Sequence, residues 1–165
     1  GPGWEDGVDV GPLINRAALE KVEGYTQIGK DEGAKLLTGG ERAGEEGFFY
    51  RPTVFADVDP QMRIAQEEIF GPVLAVAGFD GDDEAVRIAN DSIYGLSGAL
   101  FSGDLERAKA VARRIRTGTL GINGGLWYGA DAPFGGYKQS GIGREGGHEG
   151  LEIFTETKTV GWPAQ

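Results

Sequence analysis

Two adjacent carboxylates, Glu67 and Glu68, stand directly before Phe70, Gly71 and Pro72 in the stretch QEEIFGPVLAV. A purely apolar run, Val73 to Ala77, follows and reads as a buried strand. Charge beside a core is costly unless it has a partner. The pair therefore has three readings: a ligand or general acid/base role, an ion pair, or a solvated turn. Residue type alone favours the solvated turn.

A second stretch with chemical potential is GIGREGG, whose Gly141, Gly143 and Gly146 fit the letters of a G-x-G-x-x-G phosphate loop. That motif needs a strand before it and a helix after it, and this one follows an irregular loop. Lys138 and Arg144 are candidates for holding an anionic group. Residues of this kind more often satisfy loop carbonyls or stay in water. His148 is the only histidine, which excludes a multi-histidine metal site, and it reads as a solvated loop residue. The chain has no cysteine, so neither a disulfide framework nor thiol catalysis by these residues alone is available.

The elements that must position these groups follow from periodicity. Ile14, Ala18, Val22, Tyr25 and Ile28 recur at helical spacing, with Asn15 as a cap. Gly24 and Gly29 argue against an unbroken helix. AKLLTGG reads as a short strand closed by glycines. GFFYRPTVFADV is aromatic and β-branched, and its Pro52 predicts an edge strand or a bend. A regular rhythm follows: a strand over 73–79, an acid-led helix in GDDEAVRIANDS, a strand over 97–101, a helix in GDLERAKAVARRIRTG and a strand over 119–123. Leu105, Ala108, Val111, Ala112 and Ile115 form the apolar stripe of that second helix, and Gly118 follows as its stop. Short strand–helix–strand links predict parallel crossovers, hence a three-layer α/β fold with a parallel sheet and flanking helices. Residues 124–150 are glycine-rich and aperiodic, the mark of a functional loop. LEIFTETKTVGWPAQ ends the chain with β-favouring residues at about 153–162, an edge that needs another chain.

Composition sets the outer limits. The chain has 165 residues, enough for one domain over 1–165, and is 39% hydrophobic and 25% charged, as soluble globular proteins are. A formal net charge of -10 repels phosphate backbones, so nucleic acid is not an expected partner. No apolar stretch approaches the roughly 20 residues that span a bilayer. The N-terminal GPGWEDGVDVG is polar and acidic, unlike a signal peptide, and a cytoplasmic location is expected.

EEIFGPV and PFGGYKQSGIGRE together resemble the aldehyde dehydrogenase superfamily. So do GPLI, PTVFADV, NDSIYGLSGALFS and GTLGIN, in the family's order and at about its spacing. The resemblance covers nearly the whole chain and is to the C-terminal part of the catalytic domain. It implies a reaction in which a cysteine thiolate attacks an aldehyde, hydride passes to NAD or NADP, and a glutamate-activated water releases the acid. It also implies that the nucleophile, the glutamate base, the oxyanion asparagine and the main cofactor-binding domain lie upstream. The 165 residues alone are then expected to be inactive.

The resemblance assigns roles residue by residue. Glu68 matches the carboxylate that holds the nicotinamide ribose hydroxyls, since a carboxylate can accept both hydrogens of a diol. Phe70 matches the aromatic beside the nicotinamide ring, and Glu67 is left in solvent. Phe134 matches an aromatic of the substrate tunnel, and Trp127 and Tyr128 fall among the variable substrate-loop residues, with core packing as their plainer role. Glu145 matches a carboxylate proposed for proton relay in some members. TETKTV resembles the strand that joins a neighbouring subunit, so a homo-oligomer is expected. KQSGIGREGG and GLEIFTETKTV look most like the semialdehyde branch, including succinate-semialdehyde dehydrogenases. The aromatics and Asp131 of GGLWYGADAP leave a less polar aldehyde open. The rival reading is a non-catalytic truncated paralogue that serves as a binding or assembly module.

Overall fold

The computed structural model describes residues 1–125 and 128–164. Its first helix, α1 (Arg16–Asp31), starts where Asn15 Oδ1 accepts the Ala18 amide at 2.9 Å. This bond satisfies one of the free amides at the helix start. The helix runs unbroken through Gly24 and Gly29 and buries Leu19, Val22, Thr26 and Gly29. The expected stripe is thus rotated: only Val22 is shared with it, and Ile14 lies exposed before the helix. The rotation has a local cause. Tyr50 Oη donates to Thr26 Oγ1 at 2.8 Å, which lets a polar residue enter the core. At Gly29 a Cβ would stand 3.0 Å from Ile64 Cδ1 and 3.2 Å from Phe55 Cζ, so the small residue permits close approach.

Three strands pack with α1: β1 (Lys35–Thr38), β2 (Thr53–Ala56) and β3 (Val73–Ala75), in the order β1-β2-β3. β1 pairs antiparallel with β2, and β2 pairs parallel with β3. Pro52 therefore introduces a central strand, not an edge. It sits just before the ladder, where its missing N–H costs nothing. β3 is an edge strand, shorter than the expected 73–79, and Leu74 and Val76 are exposed. An apolar run does not say how many neighbours its strand has, which is why a buried strand was expected there. Phe55, Leu19, Val22, Ile64 and Ile69 form the core, with the short helix α2 (Arg63–Gln66) supplying Ile64.

The chain forms two compact units, Gly1–Asp80 and Gly81–Gln165. The second holds α3 (Gly81–Asn90), β4 (Ser97–Leu100), α4 (Leu105–Ala112) and β5 (Thr119–Ile122). β4 and β5 pair in parallel, joined by α4, as the crossover rhythm predicts. The α/β class with parallel pairing and flanking helices stands. However, the strands at 73–75, 97–100 and 119–122 do not form one sheet, because β3 pairs with β2 and β4 with β5. Ala108 and Val111 are buried as expected, whereas Leu105, in the first turn of α4, is exposed. The acids that open α3 do more than suit its dipole: Asp82 pairs with Arg107 and Asp83 with Arg114, each at 2.6 Å.

Beyond β5 the irregular loop is held by specific bonds. Tyr137 N and Gly118 N both donate to Gly95 O, at 2.8 and 3.1 Å, and Ser140 Oγ accepts from Gly95 N at 2.9 Å. A 3₁₀ turn at Lys138–Ser140 and the six-residue α5 (Gly147–Glu152) follow. His148 lies on α5 rather than in a loop, and it is exposed as expected. Residues 155–164 carry no strand and are exposed. The expected terminal strand at about 153–162 is thus not formed within this chain, whose tail has no paired neighbour to supply a ladder.

Candidate functional site

The first group of site residues is the turn at 67–72, and it is built from below. Ile69 is buried in the core and fixes the middle of the turn. Gly71 is needed because a Cβ there would overlap Val22 Cγ2. Pro72 offers its carbonyl to Thr53 N at 2.8 Å, which starts the β2–β3 pairing. Between these anchors Phe70 takes a φ of 56°, a backbone conformation that side-chain-bearing residues rarely adopt. The residue is 80% exposed.

The two carboxylates divide their roles. Glu67 is not free in solvent, contrary to expectation. Arg63 grips it with two parallel bonds, Nε to Oε1 at 2.8 Å and Nη2 to Oε2 at 2.9 Å, and Tyr25 Oη donates to Oε2 at 2.7 Å. These bonds, the Arg63 pair first, hold the Glu67 carboxyl down at about 2. The neighbouring Glu68 is exposed, and its side chain makes no hydrogen bond or ion pair to a described residue. Its backbone, in contrast, is clasped: Lys21 Nζ donates to Glu68 O at 2.8 Å. One acid is consumed in holding the turn and the other is presented outward with all its acceptor capacity open. The spacing of Arg63 and Glu67, four apart, is a signal that the sequence carried. Lys21 and Tyr25, more than 40 residues upstream, left none.

The Glu67 contact has a pH signature. Its folded-state value lies below the ordinary 4.5, so the folded form binds fewer protons than the unfolded one. The stabilisation is complete above about pH 4.5 and disappears as pH falls towards 2. Glu67→Gln is therefore expected to lower the melting temperature modestly at neutral pH, since the pair is partly exposed. The gap between variant and parent should close across that acid window. Melting curves taken over pH 2 to 7 check it, and a gap that widens on acidification contradicts it.

The second group lies in the other unit, around a cleft of about 770 Å³ lined by Tyr128, Pro133, Phe134, Glu145, Gly118 and Thr119 among others. Phe134 and Glu145 exchange a pair of backbone hydrogen bonds, each 2.7 Å, so the two sides of the loop are locked together. The rings of Tyr128 and Phe134 stand 5.8 Å apart at 57°, a tilted aromatic pair. Three expected site residues thus meet in one cleft; Trp127 lies outside the described residues. Lys138 and Arg144 satisfy loop carbonyls. Lys138 Nζ donates to Asn90 O and Ser92 O, both at 2.9 Å, and Arg144 Nη1 donates to Gly136 O at 2.9 Å and Gly143 O at 2.7 Å. The GIGREGG glycines follow a 3₁₀ turn rather than a strand, and the Gly147 amide is already bonded to Ala130 O at 2.8 Å. That stretch is a structural loop.

A sequence model of the aldehyde dehydrogenase family matches residues 1–160. The chain belongs to that family. Among curated aldehyde dehydrogenases, betaine aldehyde dehydrogenase of Bacillus subtilis is 51% identical over 164 residues, 97% of this chain and 34% of its own length. The mitochondrial aldehyde dehydrogenase of Equus caballus is 47% identical over 95% of this chain and 31% of its own. In solved structures, Mycobacterium tuberculosis aldehyde dehydrogenase complexed with NAD+ superposes with a TM-score of 0.91 at 50% identity, over 99% of this chain and 34% of that one. Staphylococcus aureus betaine aldehyde dehydrogenase in complex with NAD+ gives 0.88 at 44% identity, over 100% and 35%. The chain spans about a third of the length of the aldehyde dehydrogenases it matches. No described helix is long and apolar enough to cross a membrane.

Proposed function

We propose that these 165 residues are part of a longer polypeptide that oxidises an aldehyde to a carboxylic acid with NAD+ or NADP+. The observation that carries this reading is Glu68, an open carboxylate on a turn fixed at every neighbouring residue. Its two oxygens suit a vicinal diol, such as the nicotinamide ribose hydroxyls. The Phe70 ring, exposed beside it, offers an apolar face that limits where the nicotinamide lies. The cofactor, when bound, supplies the hydride acceptor. In this reading Tyr128 and Phe134, with Trp127 by family resemblance, line the aldehyde's path, and Glu145, which lines the same cleft, relays a proton. The nucleophile must come from elsewhere in the polypeptide, because no cysteine occurs in this stretch.

The lining supports one substrate class over another. Named lining residues are aromatic, small or acidic, and the nearby Arg144 is engaged by carbonyls. An anionic tail finds no cation among the described lining residues, whereas a neutral or cationic tail meets aromatic faces and a carboxylate. Two of the relatives named above, those of Bacillus subtilis and Staphylococcus aureus, are betaine aldehyde dehydrogenases. A semialdehyde is the alternative. The exposed tail, with Val160 and Trp162 in solvent, supports assembly into a homo-oligomer through a strand completed by a second copy. A cytoplasmic location belongs to the same reading.

Reduction of NAD+ and NADP+ by the full-length protein, with a quaternary-ammonium aldehyde, an aliphatic aldehyde and succinate semialdehyde, tests the reading. Reduced cofactor should accumulate, with a higher kcat/KM for the first two than for the third. The 165-residue chain alone should give no turnover. Turnover by that chain, or none by the full-length protein with any aldehyde, contradicts the proposal. A preference for succinate semialdehyde contradicts the substrate class alone.

A further inference from the structure

We propose that Tyr25, Glu67 and Arg63 are positioning residues that hold Glu68 at the cofactor, an inference that rests on the ribose role of Glu68. The turn at 67–72 needs external restraint. Phe70 sits at a φ of 56° and its ring is exposed, so no packing of its own side chain holds that conformation. A backbone in a sparsely populated region persists only where its surroundings over-determine it. On the C-terminal side the restraint comes from Ile69, Gly71 and Pro72. On the N-terminal side, directly before Glu68, it comes from Glu67.

Glu67 is the point where three elements meet. Arg63 belongs to α2, Tyr25 to α1, and Glu67 opens the turn. Arg63 N also donates to Glu32 Oε2 at 2.9 Å, which ties the start of α2 to the end of α1. Two cations lie over the Tyr25 ring, Lys21 Nζ 5.7 Å and Arg63 Cζ 5.8 Å from its centre. Lys21 then reaches Glu68 O. Tyr25 thus touches, through Lys21 and through Glu67, both sides of the peptide that carries the Glu68 side chain. With its carboxyl held at about 2, Glu67 stays ionised across the neutral range and its grip does not vary. Losing the Tyr25 hydroxyl removes one of the two donors to Glu67 Oε2 and with it the tie to α1, while leaving the Arg63 bonds, the ring and its packing in place. The cost should therefore appear as misplacement of Glu68, for which a shift of about 1 Å can cost up to 100-fold.

The test is single-turnover cofactor reduction by the full-length enzyme carrying Tyr25→Phe, Glu67→Gln, Glu68→Gln and the two doubles with Glu68→Gln. Tyr25→Phe and Glu67→Gln should each slow hydride transfer about tenfold. KM for the aldehyde should be unchanged. In the Glu68→Gln background neither should slow it further, because residues acting through one another are not additive. A general loss of structure would instead slow both backgrounds alike. Arg63→Lys, which keeps the charge, should lose less than Arg63→Ala. If Tyr25→Phe and Glu67→Gln match the parent, or multiply with Glu68→Gln, the positioning role is wrong while the ribose role stands. If Glu68→Gln itself matches the parent, both fall.

Discussion

Glu68→Gln in the full-length enzyme is expected to slow hydride transfer by roughly 10- to 100-fold while leaving folding almost untouched. The two halves of this expectation have different origins. Gln keeps the size of the side chain and one acceptor oxygen, but loses the charge that strengthens the bond to the ribose hydroxyls. A hydrogen bond to a charged group typically contributes about 1.5–3 kcal/mol, and each 1.36 kcal/mol is about tenfold in rate. Folding is spared because the side chain is exposed and bonded to no described residue. The turn itself is held by Lys21 at the Glu68 carbonyl, by Ile69 and by Gly71, none of which senses the substitution. Single-turnover reduction of the cofactor reads the rate, and thermal unfolding reads the fold. If Glu67→Gln proves the slower of the two, the roles of the adjacent acids are exchanged and the assignment is wrong.

Gly118→Ala is expected to cost at least about 1–3 kcal/mol of stability, the range for forcing an extra methyl group into a packed site. Here the upper end is reached because the obstacle is backbone. A Cβ on Gly118 would overlap the carbonyl oxygen of Gly135 and stand 3.2 Å from Leu96 O. Gly135 cannot yield easily. A Cβ on Gly135 would in turn overlap Gly143 O, so backbone crowds that side as well, and the following Gly136 carbonyl accepts from Arg144 at 2.9 Å. The same substitution at Gly103, where an added Cβ would meet no non-neighbouring atom within 4 Å, is the matched control and should stay within about 0.5 kcal/mol of the parent. Urea unfolding of the three proteins checks the pair through their midpoints. Equal midpoints for the Gly118 and Gly103 variants contradict the close approach. Because Gly118 and Thr119 also line the cleft, the Gly118 variant of the full-length protein should lose aldehyde turnover along with stability.

What the sequence made legible was local. Asn15 announced the start of α1 through its side chain, and Val111 announced the buried face of α4 through its spacing. The parallel β4–β5 pair followed from the short crossover between them. What stayed hidden depended on neighbours distant in the chain. Gly29 reads as a break in the sequence, whereas Phe55 and Ile64 pack against it in the fold, and Thr26 enters the core only through its bond from Tyr50. Val73 to Ala77 looked buried because an apolar run does not reveal that its strand is an edge. Gly118 looked only like a helix stop, and its close approach to Gly135 is a tertiary fact. At the site, the family resemblance alone singles out Glu68, Phe70, Tyr128, Phe134 and Glu145, since residue type by itself favours a solvated turn for the paired acids. The division of labour between Glu67 and Glu68 was not legible, since it is decided by Tyr25 on another helix.

The central claim is that this chain holds one end of a hydride transfer from an aldehyde to a nicotinamide. It is tested most directly with an aldehyde deuterated at the carbonyl carbon, in a single turnover of the full-length protein. The reduced cofactor should carry the deuterium on its nicotinamide ring, and Glu68→Gln should deliver the same label more slowly. Reduced cofactor without deuterium, or label delivered at the parent's rate by the Glu68 variant, would contradict the account.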